Sequence, residues 1–314
     1  MKLLAKSTVI NSLALLTMIG VAVAQAQPIP VTECGQVLSQ PGDYVLTGAL
    51  DNQECPTYKC SSAGSAITIT ASNVHFDTAG HGVNAICAAA AIADGAKNIR
   101  IDGGGWLFGG SGLIIGKDSR VVVNGLADIH GDPDLGSTQT GIDIRGADHV
   151  TVNHNNIEGV FGIHGHAVDS KFVNNQIAGL GIVNHGILLT GYGNVIKNNT
   201  VTLSGASAEN SAIGVTNYNW IIANTIHQAG TGINLAGDFN RVLRNIVDGD
   251  APPSVPVASV YGIFASDGAE GNVIKRNKAN GDEYDVFDQN GPPCVNFWRG
   301  NQFQTSGGAV ACIH

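Results

Sequence analysis

Short runs of alternating apolar and polar residues fill the chain from about residue 66, and no long stretch of helical periodicity interrupts them. Typical runs are AITIT from Ala66, NIRID from Asn98 and RVVV from Arg120, and glycine or asparagine stands at their ends. Successive side chains of a β-strand point to opposite faces. The pattern therefore predicts many short strands, each with one buried face.

A column of asparagines recurs in the second half of the chain at a mean spacing of about 24 residues, which is typical of repeat architectures. Its members are Asn155, Asn175, Asn199, Asn224, Asn245, Asn277 and Asn301. The positions three residues before and two residues after each member are apolar, as in Ile196 and Val201 around Asn199. Asparagine tolerates left-handed turns and bonds to nearby backbone, so we expect structural rather than catalytic roles for this column.

A second column of glycines, each followed by Ile or Val, precedes the asparagine segments: Gly141, Gly162, Gly186, Gly214, Gly232 and Gly262. Together the two columns predict three short strands per repeat, wound into a parallel β-helix of about ten coils over residues 66–303. Residues 27–65 are predicted as an N-terminal cap and residues 304–314 as a C-terminal tail. The longer intervals at 131–140, 203–211 and 249–260 are predicted loops.

Two segments, CGQVLSQPGDYVLTGAL from Cys34 and AITITASNVHFDTAGHGV from Ala66, resemble secreted bacterial proteins of the pectate-lyase-like superfamily. The resemblance covers nearly all of the chain after residue 26 and implies an all-β, right-handed parallel β-helix. It implies no single activity, because the superfamily includes polysaccharide lyases, glycoside hydrolases, uronan epimerases and periplasmic accessory proteins. The R-x-P-x-x-R motif of pectate lyases and the N-T-D motif of polygalacturonases are absent.

The first 26 residues have the order of a secretory signal peptide: Lys2 and Lys6, an apolar run over 13–23, and small residues up to Ala26. The run is too short to span a bilayer, so we expect a secreted or periplasmic protein without a membrane span. The formal net charge is −9. This acidic balance argues against a nucleic-acid partner. We expect a monomer.

Six cysteines in an exported chain predict disulfide bonds. Cys294 and Cys312 flank the last repeat and are far in sequence from the others, so we expect them to pair. The other four allow three pairings, and the sequence does not choose between them: Cys34, Cys55, Cys60 and Cys87. The disulfides would then hold both ends of the solenoid.

A group of titratable residues marks a candidate catalytic site. In GIDIR and GIHGH, the alternation puts Asp143, Arg145, His164 and His166 on the outer face of adjacent coils. The preceding loop is predicted to carry His130 and two substrate-binding residues, Asp132 and Asp134. A uronan lyase or epimerase needs a base, an acid and a cation that neutralises the carboxylate, and these residue types supply them. The alternatives are a divalent-cation site, which no motif supports, and a solvated strand without function.

Basic residues flank the inward positions of the asparagine segments and predict a stripe along one face. They are Lys171, Lys197, Arg241, Arg244, Lys275, Arg276 and Arg299. Such a stripe could bind an anionic polysaccharide, or serve only as a solvated face that discourages aggregation. Four aromatic residues at outward positions could stack on sugars or cover turns: Tyr192, Tyr218, Trp220 and Phe264.

The sequence therefore indicates an exported β-helix protein that acts on or binds an acidic polysaccharide, as a lyase or epimerase if it is catalytic. The alternative is a non-catalytic glycan-binding, structural or periplasmic accessory protein. No cofactor is predicted.

Overall fold

The chain forms a parallel β-helix whose strands stack into three long sheets. The computed structural model describes residues 27–51, 55, 64–132, 139–181, 184–204, 210–249 and 260–314. Sheet A contains Ile29–Val31, Gly42–Leu46, Val74–Asp77, Ile99–Asp102, Val121–Asn124, Thr151–Asn153, Lys171–Val173, Val195–Lys197, Trp220–Ile222, Arg241–Leu243, Val273–Lys275 and Phe297–Arg299.

Sheets B and C complete each coil. Sheet B contains Gln36–Leu38, Ser65–Ile69, Ala88–Ile92, Ser111–Ile115, Thr140–Asp148, Phe161–Val168, His185–Thr190, Ser211–Val215, Thr231–Leu235, Tyr261–Ala265, Tyr284–Asp288 and Ser306–Gly308. Sheet C contains Gly82–Asn84, Trp106–Gly109, Asp128–Gly131, Asn156–Gly159, Gln176–Gly179, Thr200–Leu203, Thr225–His227, Ile246–Asp248 and Lys278–Asn280. The chain passes from sheet A to C to B in every complete coil, and nine such coils lie between Val74 and Asp288.

The predicted all-β solenoid is confirmed, and its ladders begin before Ala66. Strands Ile29–Val31 and Gln36–Leu38, within the predicted cap, already join sheets A and B. At the other end, Ser306–Gly308 pairs with Tyr284–Asp288, and a 3-10 turn follows at Val310–Cys312. The described part of the chain contains no helix that is long and apolar enough to cross a membrane.

The core is a set of apolar ladders inside the coil. The residues predicted inward from the asparagine column are fully buried, for example Ile196, Ile221 and Val242 in sheet A and Val201 in sheet C. Phe303, at the last coil, is only partly buried. Full burial of one such side chain contributes about 1.5–3 kcal/mol, and the ladder repeats that gain on every coil.

The glycine column was correct except at Gly214. Ile187 pairs with Ile213 and Ile213 with Ile233, so Ala212 and not Gly214 occupies the column position on that coil. The prediction was wrong by two residues, a shift that keeps every side chain on the same face and so leaves the alternation unchanged.

Two asparagine ladders hold the ends of the sheet A strands. In the column at the junction of sheets A and C, each side-chain oxygen from Asn175 onward accepts bonds from the backbone N–H and the side-chain amide of the asparagine on the preceding coil. Asn199, for example, donates both to Asn224 Oδ1, at 2.9 and 3.0 Å. A second ladder, at the junction of sheets B and A, runs through Asn194, Asn219, Asn240, Asn272 and Asn296.

The left-handed conformation lies one residue ahead of the column asparagines. Asn198, Ala223 and Arg244 have φ of 55°, 53° and 58°, whereas Asn199 and Asn224 are not among the residues with positive φ. The bonding role predicted for the column is therefore confirmed, but the turn role belongs to the preceding residue.

Two disulfides are defined within the described residues. Cys294 pairs with Cys312, as predicted, and Cys34 pairs with Cys55. Cys87 is also disulfide-bonded. Disulfides are typical of proteins outside the reducing cytoplasm.

Candidate functional site

The predicted acid–base residues lie side by side on the outer face of sheet B. Strands Thr140–Asp148 and Phe161–Val168 pair in parallel with Asp143 opposite His164 and Arg145 opposite His166. This proximity is what the alternation predicted.

Three of these four residues already have side-chain partners on sheet B. Arg145 Nε donates to Asp143 Oδ2 at 2.8 Å, and the Asp143 side chain is 13% exposed against 54% for Arg145. His166 Nδ1 lies 3.1 Å from the Thr190 hydroxyl. A base role for Asp143 would thus compete with its ion pair to Arg145.

His185 extends the group on the next coil. Its ring stacks on Phe161 at 5.3 Å, and Phe161 also contacts the ring of His164 at 4.8 Å. Burial lowers the pKa of His185, and the neighbouring His164 lowers it further. The Ser211 N–H donates to its Nδ1 at 3.1 Å, which fits a neutral ring with the proton on Nε2.

Of the residues predicted in the preceding loop, His130 makes its contacts on sheet C. His130 was predicted in the loop, but it lies in strand Asp128–Gly131 of sheet C, 4.5 Å from the Phe108 ring and 3.4 Å from Glu158 Oε2. Asp132 is half-buried just after that strand. Asp134, like most of the three predicted loops, lies outside the described residues.

The basic stripe lies on sheet A and on the turn that follows it. Lys171 and Arg241 align in one outward row, and Lys197, Lys275 and Arg299 align in the other. Arg244 and Arg276 occupy the left-handed turn positions between sheets A and C. All seven cations are at least partly exposed.

None of the seven stripe cations lies within 4.0 Å of a carboxylate among the described residues. In the N-terminal half of sheet A and its turns, by contrast, Arg100 forms an ion pair with Asp102, and Arg120 forms one with Asp148. Burial tends to raise the pKa of Asp102, but hydrogen bonds from His75 and Arg100 outweigh it and hold that pKa below its usual value. Among the described residues, cations are therefore ion-paired at the N-terminal end of sheet A and have no carboxylate partner at its C-terminal end.

Four of the stripe cations surround one shallow depression of about 540 Å³. Its lining consists of Arg244, Lys275, Arg276 and Arg299 with Ile222, Leu243 and Gly300. An open, cationic surface of this kind suits an extended anionic ligand better than an enclosed small molecule.

Two exposed aromatic rings stand among these cations. Trp220 is 42% exposed and Phe297 is 46% exposed. Arg241 Cζ lies 4.8 Å from the Trp220 ring centroid, and Lys275 Nζ lies 4.5 Å from that of Phe297. Sequence reasoning missed Phe297, although its place directly before the inward Trp298 indicates an outward side chain.

Two of the other three predicted aromatics stack on neighbouring rings, whereas Tyr192 is 55% exposed. Phe264 stacks on Tyr261 at 4.6 Å on sheet B, next to Phe287. Tyr218 stacks on Phe239 at 5.1 Å at the turn into sheet A. Packing against neighbouring rings on sheet B and at the turn therefore accounts for Phe264 and Tyr218.

A family model described as "Periplasmic copper-binding protein (NosD)" matches residues 97–309. The chain belongs to the NosD family. No curated protein matches this NosD-family chain.

Solved β-helix proteins resemble the chain at low sequence identity. The Dettilon tailspike protein is 14% identical with a TM-score of 0.49, and the alignment covers 87% of this chain and 61% of the tailspike. The Azotobacter vinelandii mannuronan C-5 epimerase AlgE6 A-module is 12% identical, with a TM-score of 0.39 and coverage of 86% and 85%. The Streptococcus pneumoniae surface adhesin PfbA is 14% identical, with a TM-score of 0.33 and coverage of 90% and 74%.

The residues described in this NosD-family protein do not fit a resident copper ion. Copper(I) prefers thiolate and thioether ligands. Every described cysteine is in a disulfide, and both methionines, Met1 and Met18, lie outside the described residues. No three His, Cys, Asp or Glu residues of the described segments are grouped as metal ligands.

Proposed function

We propose that this NosD-family protein is an extracytoplasmic, non-catalytic β-helix that binds an acidic polysaccharide on the C-terminal half of sheet A. The main supporting observation is the stripe of cations that have no carboxylate partner within the described segments, interleaved with the exposed rings of Trp220 and Phe297. Cations attract the carboxylates of the polymer, and the rings offer flat apolar surfaces on which sugars stack.

The periplasmic description of the family and the disulfides support a periplasmic location. Copper does not enter the proposal, because the described donor set does not fit it. A periplasmic accessory role would instead predict that metal or a partner protein co-purifies and that polysaccharide has no effect.

Affinity electrophoresis through gels containing polygalacturonate tests this proposal. The double variant Arg241→Ala with Lys275→Ala removes two cations that have no described carboxylate partner, together with both cation–ring contacts. A hydrogen bond to a charged group contributes about 1.5–3 kcal/mol, so we expect affinity to fall at least about tenfold. Added salt should weaken binding of the unmodified protein.

The matched control is Arg100→Ala with Arg120→Ala, which removes the same net charge from cations that are already ion-paired. Its retardation should equal that of the unmodified protein. Equal loss in both double variants would show a nonspecific charge effect and contradict the proposal.

A catalytic alternative rests on the proximity of Asp143, Arg145, His164 and His166. In that case the protein would release unsaturated uronate products, detected by their ultraviolet absorbance, and His164→Ala would abolish the release. The existing Arg145–Asp143 ion pair leads us to favour binding.

A further inference from the structure

The turn between sheets A and C carries an unusual pair of residues. The backbone there is left-handed, and most coils place glycine, asparagine or a small residue at this position: Gly125, Asn174, Asn198, Ala223 and Gly300. One coil has His154 there, with φ of 56°. Two consecutive coils instead have Arg244 and Arg276, with φ of 58° and 56°. A long side chain gains nothing from this conformation, which glycine adopts at lower cost.

Both arginines border the same depression. The Arg244 N–H donates to the Lys275 carbonyl at 3.1 Å, and the Arg276 N–H donates to the Arg299 carbonyl at 3.2 Å. These bonds bring four cations from three successive coils around the depression of about 540 Å³. Unfavourable backbone geometry that is kept at a cationic surface is a sign of a binding function.

The cations around the depression are arranged along the axis of the solenoid, because they lie on successive coils. Successive coils are about 4.8 Å apart, so Arg244 and Arg276 present positive charges one coil step apart along the axis. The rings of Trp220 and Phe297 lie in the same outward row, three coil steps or about 14 Å apart. A polymer that ran across the coils would meet only one of the two turn arginines.

We propose that this depression binds neighbouring carboxylates of a contiguous polyuronate block whose chain runs along the solenoid axis. The inference rests on the proposed function and specifies its ligand: an uninterrupted series of uronates, with acids that meet cations on successive coils. A glycan in which uronates alternate with neutral sugars would leave part of the cationic cluster without a partner.

The test is the double variant Arg244→Gly with Arg276→Gly, compared with Ala223→Gly at the same turn position of the preceding coil. Glycine adopts the left-handed backbone conformation without steric strain, so the Tm of both variants should equal or exceed that of the unmodified protein. Affinity for polygalacturonate should fall at least about tenfold in the double variant and stay unchanged in Ala223→Gly. Arg244→Asn with Arg276→Asn should repeat the loss, because asparagine also accepts this conformation.

Two further probes examine the ligand class. Hyaluronan, which alternates uronate with a neutral sugar, should bind more weakly than polygalacturonate and lose less affinity in the double glycine variant. Inorganic phosphate should not compete at ionic strengths where polygalacturonate stays bound. Equal binding of the two polymers, or competition by phosphate, would overturn the contiguous-block inference.

Failure of this inference can be told apart from failure of the proposed function. If the double glycine variant keeps full affinity while Arg241→Ala with Lys275→Ala loses it, sheet A binds the polysaccharide but the turn arginines do not. If both double variants keep full affinity, both proposals are wrong.

Discussion

At the scale of single residues, the asparagine column is scaffold with a defined bonding pattern. Asn224 Oδ1 accepts two bonds from Asn199, and Asn224 Nδ2 donates to the Ile196 carbonyl at 2.9 Å. The sequence revealed the column because the bonds recur on every coil. It could not separate the bonding residue from its left-handed neighbour, because the partners that decide the matter lie on another coil.

Replacement of Asn224 by alanine should therefore destabilise the fold strongly. The substitution leaves the buried amide groups of Asn199 without their acceptor, and we expect the free energy of unfolding to fall by about 3 kcal/mol. Denaturant titration measures this loss in the free energy of unfolding. Asn198→Gly, at the exposed turn position of the preceding coil, is the control and should cost little; an equally small effect of Asn224→Ala would argue against the ladder.

At the scale of strands, the alternation predicted which face of each strand is buried. The pairing register between successive coils determines which residues stack in one column. The error at Gly214 shows the limit of this reasoning, since a shift of two residues preserves the facing of every side chain. Pairing across coils decides the register. The column glycines are needed because a Cβ at Gly186 would lie 2.2 Å from Val201 Cγ1 and 2.6 Å from the Ala212 carbonyl oxygen.

Gly186→Ala should then lower the free energy of unfolding by about 1–3 kcal/mol, as overpacking of a tight core does. Gly214→Ala is the matched control, because its Cβ would approach only the movable end of Leu188, at 2.7 Å. Thermal unfolding of the two variants compares them. Equal Tm values would contradict the observed register.

At the scale of the whole molecule, charge is distributed unevenly along an acidic rod. The net charge is −9, yet the C-terminal half of sheet A carries cations without described carboxylate partners. The sequence predicted the stripe, because the alternation along each strand determines which residues face outward. The sequence could not show that Arg100 and Arg120 are ion-paired while Arg241 and Arg244 have no carboxylate partner in the described part of the chain, because ion pairs depend on side chains of neighbouring coils. The depression could not be predicted either, because its lining residues come from several coils. The exposed ring of Phe297 was not among the predicted aromatics.

Hydroxyl-radical footprinting with and without polygalacturonate tests the central claim most directly. Trp220 and Trp106 are similarly exposed, at 42% and 39%, but lie on sheets A and C. Bound polysaccharide should protect Trp220 and Phe297 from oxidation and leave Trp106 unchanged. Protection of Phe161 and His164 on sheet B, with Trp220 and Phe297 still fully reactive, would contradict the account.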